Sequence, residues 1–365
     1  MSDILSLIEK FHFLNSDSAD LNCPKKLDTL KKLNDTLKQI KTVAQPEADT
    51  TAQFLLNELH RTSSKDVIRK LIIRSLNTLT ASNQIDLTKV REALENFFLN
   101  ANTSIGQKLF ILNIYLDNLD QFGLDCIDQS KDEILHFLSS TCAQQINQLK
   151  TSTAPIAISK LVQNLQLLFK TMIIYLQKCY HSISHQKEQV STIYTSVTDL
   201  LELKSIFNLE LGYAACMVQV LLENYESKSI RVVIEQAIKK EILIEDLCFL
   251  QAVLTMLKAE QILAENLLDL FEKILVHVLN ASSDSTDVGY SIAVSRTVNF
   301  WLTKLMDLIE LKHSSIEQIF CTDSLWFTKL LNFVWSHFDH SIDVIRNTAL
   351  NNYRIILQAV KIVQK

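Results

Sequence analysis

The sequence predicts an all-α protein, an α-solenoid of HEAT/armadillo-like helical repeats with roughly seventeen helices. Three observations lead there. The first is the shortage of turn-forming residues: four glycines and three prolines stand in 365 residues, where average usage gives about 25 and about 18. Hairpins and phosphate-cradling loops need glycine for left-handed backbone, so a chain this poor in it has little room for β-structure. The second is apolar spacing at the helical period over almost the whole length. The third is the absence of a Gly/Ser-rich linker among so many helices. A bundle closes around one core after a handful of helices, whereas stacked helix pairs continue because each repeat touches only its neighbours. Two helices per roughly 40 residues is the spacing of HEAT and armadillo repeats. One continuous helical-repeat domain over 1–365 is the expected organisation, as the N-terminal portion of a longer solenoid.

Taken in order, amphipathic segments fall at about 3–14, 25–43, 47–60, 65–80, 86–100, 104–120, 130–149 and 155–180. Others follow at about 187–206, 208–225, 228–240, 244–258, 260–280, 288–312, 315–321, 323–337 and 342–362. The connections are short and polar, as in "NSDSAD", "TASNQID", "LNANTS" and "NASSDSTD". Several place Ser, Thr, Asp or Asn just ahead of an apolar run, where a side-chain oxygen can accept from free helix amides. Pro24 and Pro46 sit at helix starts and Pro155 just inside a first turn, where a missing N–H costs nothing. The last segment, "NNYRIILQAVKIVQK", runs apolar almost to Lys365 and lacks the polar face of a terminal repeat.

Hydrophobic residues make up 47% of the chain, ample for a large core. The longest apolar stretch, Leu161–Leu176, is interrupted by Gln163, Asn164, Gln166 and Lys170, so no membrane span is expected. The opening "MSDILSLIEKFHFL" carries acid where a signal peptide carries base. Seven cysteines without a CxxC pair read as reduced thiols in a cytoplasmic or nuclear protein. A net charge of −5 argues against a surface coated for nucleic acid but leaves room for a local basic patch.

A weak internal repeat accompanies the periodicity. "SKDVIR" at Ser64–Arg69 recurs as "SIDVIR" at Ser341–Arg346. "SIAVSR" at Ser291–Arg296 keeps Ser, Val and Arg in place, and "SKSIR" at Ser227–Arg231 is a shortened relative. Each is expected to open a helix, the serine capping free amides and the aspartate favouring the positive helix end. The arginine would reach carboxylates or carbonyls of a neighbouring repeat. Asp343, Arg346 and Ala349 resemble the D…VR…A signature of the second helix of HEAT repeats, with Ala349 in the expected small position.

Chemistry-bearing clusters are few. His337 and His340, with Asp339 and Asp343, contain metal-ligating atom types, but no HExxH-like motif accompanies them. An inter-helix turn whose polar groups bond the backbone is the favoured reading. His181 and His185 beside Cys179 sit at another helix junction with no further ligand nearby. No GxSxG elbow and no Gly-rich nucleotide loop occurs. Catalytic, metal and cofactor-binding residues are therefore expected to be none. Basic residues gather at Lys25, Lys26, Lys31, Lys32, Lys38 and Lys41, with Arg69, Lys70 and Arg74 further on. Their spacing spreads them around more than one helix face, as on an ordinary solvated helix; the alternative is a contact for RNA or an acidic partner. Trp301, Trp326 and Trp335 with Phe300, Phe327, Phe333 and Phe338 are expected to seal the last helices.

The segment "VWSHFDHSIDVIR" resembles a W-x-H-W-[DE]-H-x-x-D-x-[VI]-R segment of the thyroid-adenoma-associated protein family, through Trp335, His337, Asp339, His340, Asp343 and Arg346. Phe338 stands where that family prefers Trp, Ser341 where proline is frequent, and Asn347–Thr348 where His-Gln tends to follow. The family's downstream RRSAG-type segment has no counterpart in the chain. The resemblance covers about a dozen residues and is architectural elsewhere. It implies a long non-catalytic solenoid, the regulatory partner of a separate S-adenosylmethionine-dependent methyltransferase acting on a ribose of the tRNA anticodon loop. Protein partners, and tRNA through the lysines, would follow. A general HEAT/armadillo adaptor in trafficking or complex assembly, without RNA, is the alternative.

Overall fold

The computed structural model describes residues 3–16, 23–39, 45–61, most of 71–79, 105–117, 125–178, 187–203, 208–225, 230–238, 243–264, 267–281, 287–311 and 325–363. The fold is all-α, with no strand among the described residues. Fifteen helices are described: α1 (Asp3–Ser16), α2 (Cys23–Gln39), α3 (Gln45–Arg61), α4 (Ile105–Asp117), α5 (Asp125–Thr151), α6 (Pro155–Lys178), α7 (Lys187–Leu201) and α8 (Leu209–Tyr225). Then come α9 (Ile230–Ile238), α10 (Ile244–Met256), α11 (Ala259–Ala264), α12 (Leu268–Ala281), α13 (Val288–Glu310), α14 (Leu325–Ser336) and α15 (Asp343–Val363). The expected segments 86–100 and 315–321 lie outside the described residues, and 65–80 is described only in part. The chain groups into two compact units, Met1–Thr141 and Cys142–Lys365, dividing inside α5.

In the first unit α1 packs on α2 and α3. Ile4, Ile8 and Phe11 line one face of α1 at helical spacing and meet Leu30, Leu33 and Leu37 of α2 and Ala52 and Leu55 of α3 in one core. Phe11 sets its edge against Phe54 with centroids 5.4 Å apart. Pro24 and Pro46 are the second residues of α2 and α3, where their missing amides break no intrahelical bond.

The second unit is built in two layers. In one, α6 packs on α8, α8 on α10, α10 on α13, and α13 on α15. In the other, α9 packs on α12 and α12 on α14, while Lys150 of α5 reaches Asp199 of α7 at 2.7 Å. Cross-contacts between the layers join α7 to α8, α9 to α10, α12 to α13 and α14 to α15. Each helical hairpin thus lies on the next, and one core runs from Cys216 to Ala359. Position in the stack is written into composition. Helix α10, held between α8 and α13, buries Leu247, Cys248, Leu250, Gln251, Ala252, Val253 and Leu254, an almost all-round apolar surface, as a central helix requires. Helix α15 buries Ile345, Ala349, Asn352, Ile356 and Ala359, the single stripe of a helix covered on one side.

Helix ends follow side-chain chemistry. Asp287, closing the polar run "NASSDSTD", caps α13 by accepting from the amides of Gly289 at 2.7 Å and Tyr290 at 3.4 Å. Asn208 does the same for α8 through Glu210 and Leu211. Two expectations are corrected. The segment 260–280 is two helices, α11 and α12, because the Leu267 amide closes back on the Ile262 carbonyl at 2.8 Å and ends the first. And "SIAVSR" does not open a helix: Asp287 caps α13 four residues before Ser291, whose hydroxyl donates back to the Asp287 carbonyl. Arg296 is therefore two turns into its helix, while Arg346 is in the first turn of α15. Between these two segments the sequence echo does not mark equivalent positions; Ser64–Arg69 and Ser227 lie outside the described residues.

Candidate functional site

The joint between α14 and α15 is made of the residues that stand out in the sequence. Helix α14 ends because its last carbonyls are taken by 3₁₀-type bonds, from His337 to Val334 and from Phe338 to Trp335, both at 3.2 Å. The Phe333 carbonyl accepts from the Ser336 hydroxyl at 2.8 Å and meets His337 Nδ1 at 2.7 Å. A carbonyl only accepts, so His337 carries its proton on Nδ1. His340 works in the opposite sense, its Nδ1 accepting the Ile342 amide at 3.1 Å. The imidazole, and not the hydroxyl of Ser341 as expected, receives the main chain ahead of α15. Arg346 then clamps the turn, donating to the His340 carbonyl at 2.7 Å and pairing with Asp343.

The two imidazoles lie parallel, 5.9 Å between centroids and 8° between planes. This geometry fits a joint and does not fit a chelate. Neutral His340, accepting at Nδ1, carries its proton on Nε2 and has no lone pair left for a metal. Among the described residues no group of three or more His, Cys, Asp or Glu side chains is placed to hold a metal ion. Asp339 is exposed, and Trp335 is 51% exposed, so this tryptophan does not join the seal that Trp301, only 1% exposed, provides deeper in the stack. Trp326, His181, His185 and Cys179 lie outside the residues whose side chains are described.

The lysines of α2 sort by face. Lys25, Lys31, Lys32 and Lys38 are exposed, whereas Lys26 is 8% exposed and turned to the packed side with Thr29, Leu30, Leu33 and Leu37. Seven-residue offsets make two exposed rows, Lys25 with Lys32 and Lys31 with Lys38, about 120° apart around the helix. Asp28 and Asp35 are interleaved there, and Asp28 pairs with Lys32 at 3.0 Å. Arg74 is exposed; Lys41, Arg69 and Lys70 lie outside the described residues.

One surface feature is not singled out by sequence reasoning. An open groove of about 510 Å³ lies between α13 and α15, lined by Arg296, Asn299, Phe300, Val344, Asn347, Thr348 and Asn351. Asn347 and Asn351 stand one turn apart on α15, a spacing that was available in the sequence as a signal. Arg296 forms an ion pair with Glu210 of α8 at 2.7 Å. Beneath the groove, buried Asn352 accepts from Asn299 at 2.7 Å and donates to the Ser295 carbonyl at 3.4 Å.

The buried thiols are not reactive centres. Burial pushes Cys142 and Cys248 up to about 12. It raises Cys216 well above the ordinary thiol range, with Cys248, Asp246 and Glu245 adding repulsion. Nucleophilic chemistry needs a thiolate, and these sites suppress it.

No protein-family model matches the chain, and no curated protein matches it. The resemblance over Trp335–Arg346 rests on those residues alone.

Proposed function

We propose that the chain is a non-catalytic scaffold, an α-solenoid of HEAT/armadillo-type repeats that presents long helical surfaces to other macromolecules. The stacking of successive hairpins, with α8, α10, α13 and α15 each packed on the next, carries this reading. Such a stack buries its core between repeats and leaves its layer surfaces to partners. Within this class the Trp335–Arg346 joint favours the arm of a regulatory subunit that assists a separate methyltransferase in tRNA anticodon-loop ribose methylation. Lys25, Lys31, Lys32 and Lys38 are the residues to contact tRNA backbone.

The test is tRNA binding by the purified chain across a salt series, together with methyltransferase recovery in affinity purification. Four phosphate contacts give a log–log salt slope of about −3 to −4. Reversing the four lysines to glutamate abolishes that binding. Absent or salt-insensitive tRNA binding by the folded chain, with no methyltransferase recovered, overturns the tRNA reading in favour of a protein-only adaptor. The net charge of −5 and the interleaved Asp28 and Asp35 favour that second reading.

A further inference from the structure

We infer that the groove between α13 and α15 is a docking site for an extended, uncharged segment of a partner protein, held through its main chain. Asn347 and Asn351 both line the groove and are exposed, and no side-chain hydrogen bond of theirs occurs among the described residues. A carboxamide offers a donor and an acceptor, as a peptide unit does, so it pairs with main chain of any sequence. Four residues along a helix advance about 6 Å, and an extended chain repeats every two residues at about 6.4–6.8 Å. A strand lying along α15 therefore presents alternate peptide units to both carboxamides.

The rest of the groove fits the same occupant. Alternate side chains of such a strand meet Phe300, whose ring leans on Tyr213 with centroids 5.5 Å apart, and Val344, which is 53% exposed. Asn299 is fixed in advance by its bond to buried Asn352, so little ordering is left to binding. Charge decides between classes of partner. Arg296, the cation of the lining, is neutralised by Glu210, and a phosphate backbone, whose affinity comes from released counterions, gains little there. The segment that fits carries aliphatic or aromatic residues at every second position.

The inference rests on the scaffold reading, and the two fail differently. The probe is a displayed library of 12-residue peptides, selected on the full chain with the N347A/N351A double variant as counter-selection. Alanine favours helix at both exposed positions, so the variant keeps its helical circular dichroism. Expected are enriched peptides alternating in apolar residues. Their affinity falls roughly tenfold or more in the double variant and stays unchanged in Asn332→Ala, an exposed asparagine of α14. N-methylation of alternate peptide amides produces the same loss, which a purely side-chain contact would not. No enrichment, binding indifferent to both asparagines, or a 12-mer oligouridine that binds here in their place overturns the proposal while leaving the helical signal intact. A wild-type chain lacking that signal overturns the scaffold itself, and the groove with it.

Discussion

Trp301 donates its indole N–H to the Phe271 main-chain carbonyl at 2.6 Å and stacks on the Phe271 ring, with centroids 4.6 Å apart and planes 14° from parallel. One side chain thereby fastens α13 to α12 by a hydrogen bond and an aromatic contact at once, in a fully buried site. Truncation there removes both. Trp301→Ala is expected to cost about 3–5 kcal/mol. Trp301→Phe, which keeps a ring and loses the donor, is expected to cost about 1–3 kcal/mol. Urea unfolding followed by circular dichroism measures both, and a negligible cost for Trp301→Phe would show that the hydrogen bond contributes nothing.

Gln251 of α10 sends its amide to the Ala293 carbonyl at 3.1 Å and the Thr297 hydroxyl at 3.0 Å, while Thr297 itself donates to Ala293 at 2.8 Å. Removing the glutamine leaves Ala293 and Thr297 bonded to each other. Gln251→Leu, which fills most of the space, is therefore expected to cost below about 1.5 kcal/mol. Gln251→Ala opens a cavity between α10 and α13 and is expected to cost about 2–4 kcal/mol. The ordering of the two in denaturant midpoints is the check.

At the joint, Arg346 matters through the carbonyl it holds more than through the charge it meets. Asp343 is 78% exposed at its side chain, and exposed pairs contribute about 0–1 kcal/mol. Asp343→Asn is thus expected to shift stability by less than about 1 kcal/mol. Arg346→Met frees the His340 carbonyl and loosens the turn, at about 1–2 kcal/mol. A double-mutant cycle separates these contributions. Amide hydrogen exchange at Ile342 and Arg346 reports the loosening locally.

The buried thiols give the fold an alkaline limit. In Cys142 and Cys248 the folded value lies near 12 against an ordinary 9.0. The folded state therefore holds protons that the unfolded state releases. That contribution is fully present below pH 9 and is lost as pH rises toward 12. Cys142→Ala and Cys248→Ala are each expected to flatten the fall in stability over that window, measured by urea midpoints at pH 8 and pH 10.5. Below pH 9 the same two thiols react with aromatic disulfides only after unfolding.

How much was legible beforehand differs by level. The helices were readable because their signal is local. Scarcity of Gly and Pro together with apolar spacing placed α1, α6, α13 and α15 to within a few residues, and Pro155 and Asp287 fixed boundaries through chemistry visible in the chain. The joint was also legible as a joint, since "HFDHSI" interrupts two apolar runs. What could not be read was which atom satisfies which. Ser341 looked like the cap, but His340 accepts the Ile342 amide. Ser291 looked like a helix opening, but Asp287 had already started that helix.

The all-helical class follows from the amino-acid order alone, because backbone preference and the apolar period act within a few residues. Which faces are spent on packing and which remain is set by how the helices meet. Lys26 and Lys25 are neighbours in sequence, yet one is buried and one exposed. Asn352 is consumed under α13 while Asn351 beside it faces the groove. A helix turns 100° per residue, so adjacent polar residues take different fates, and the neighbouring helix assigns them.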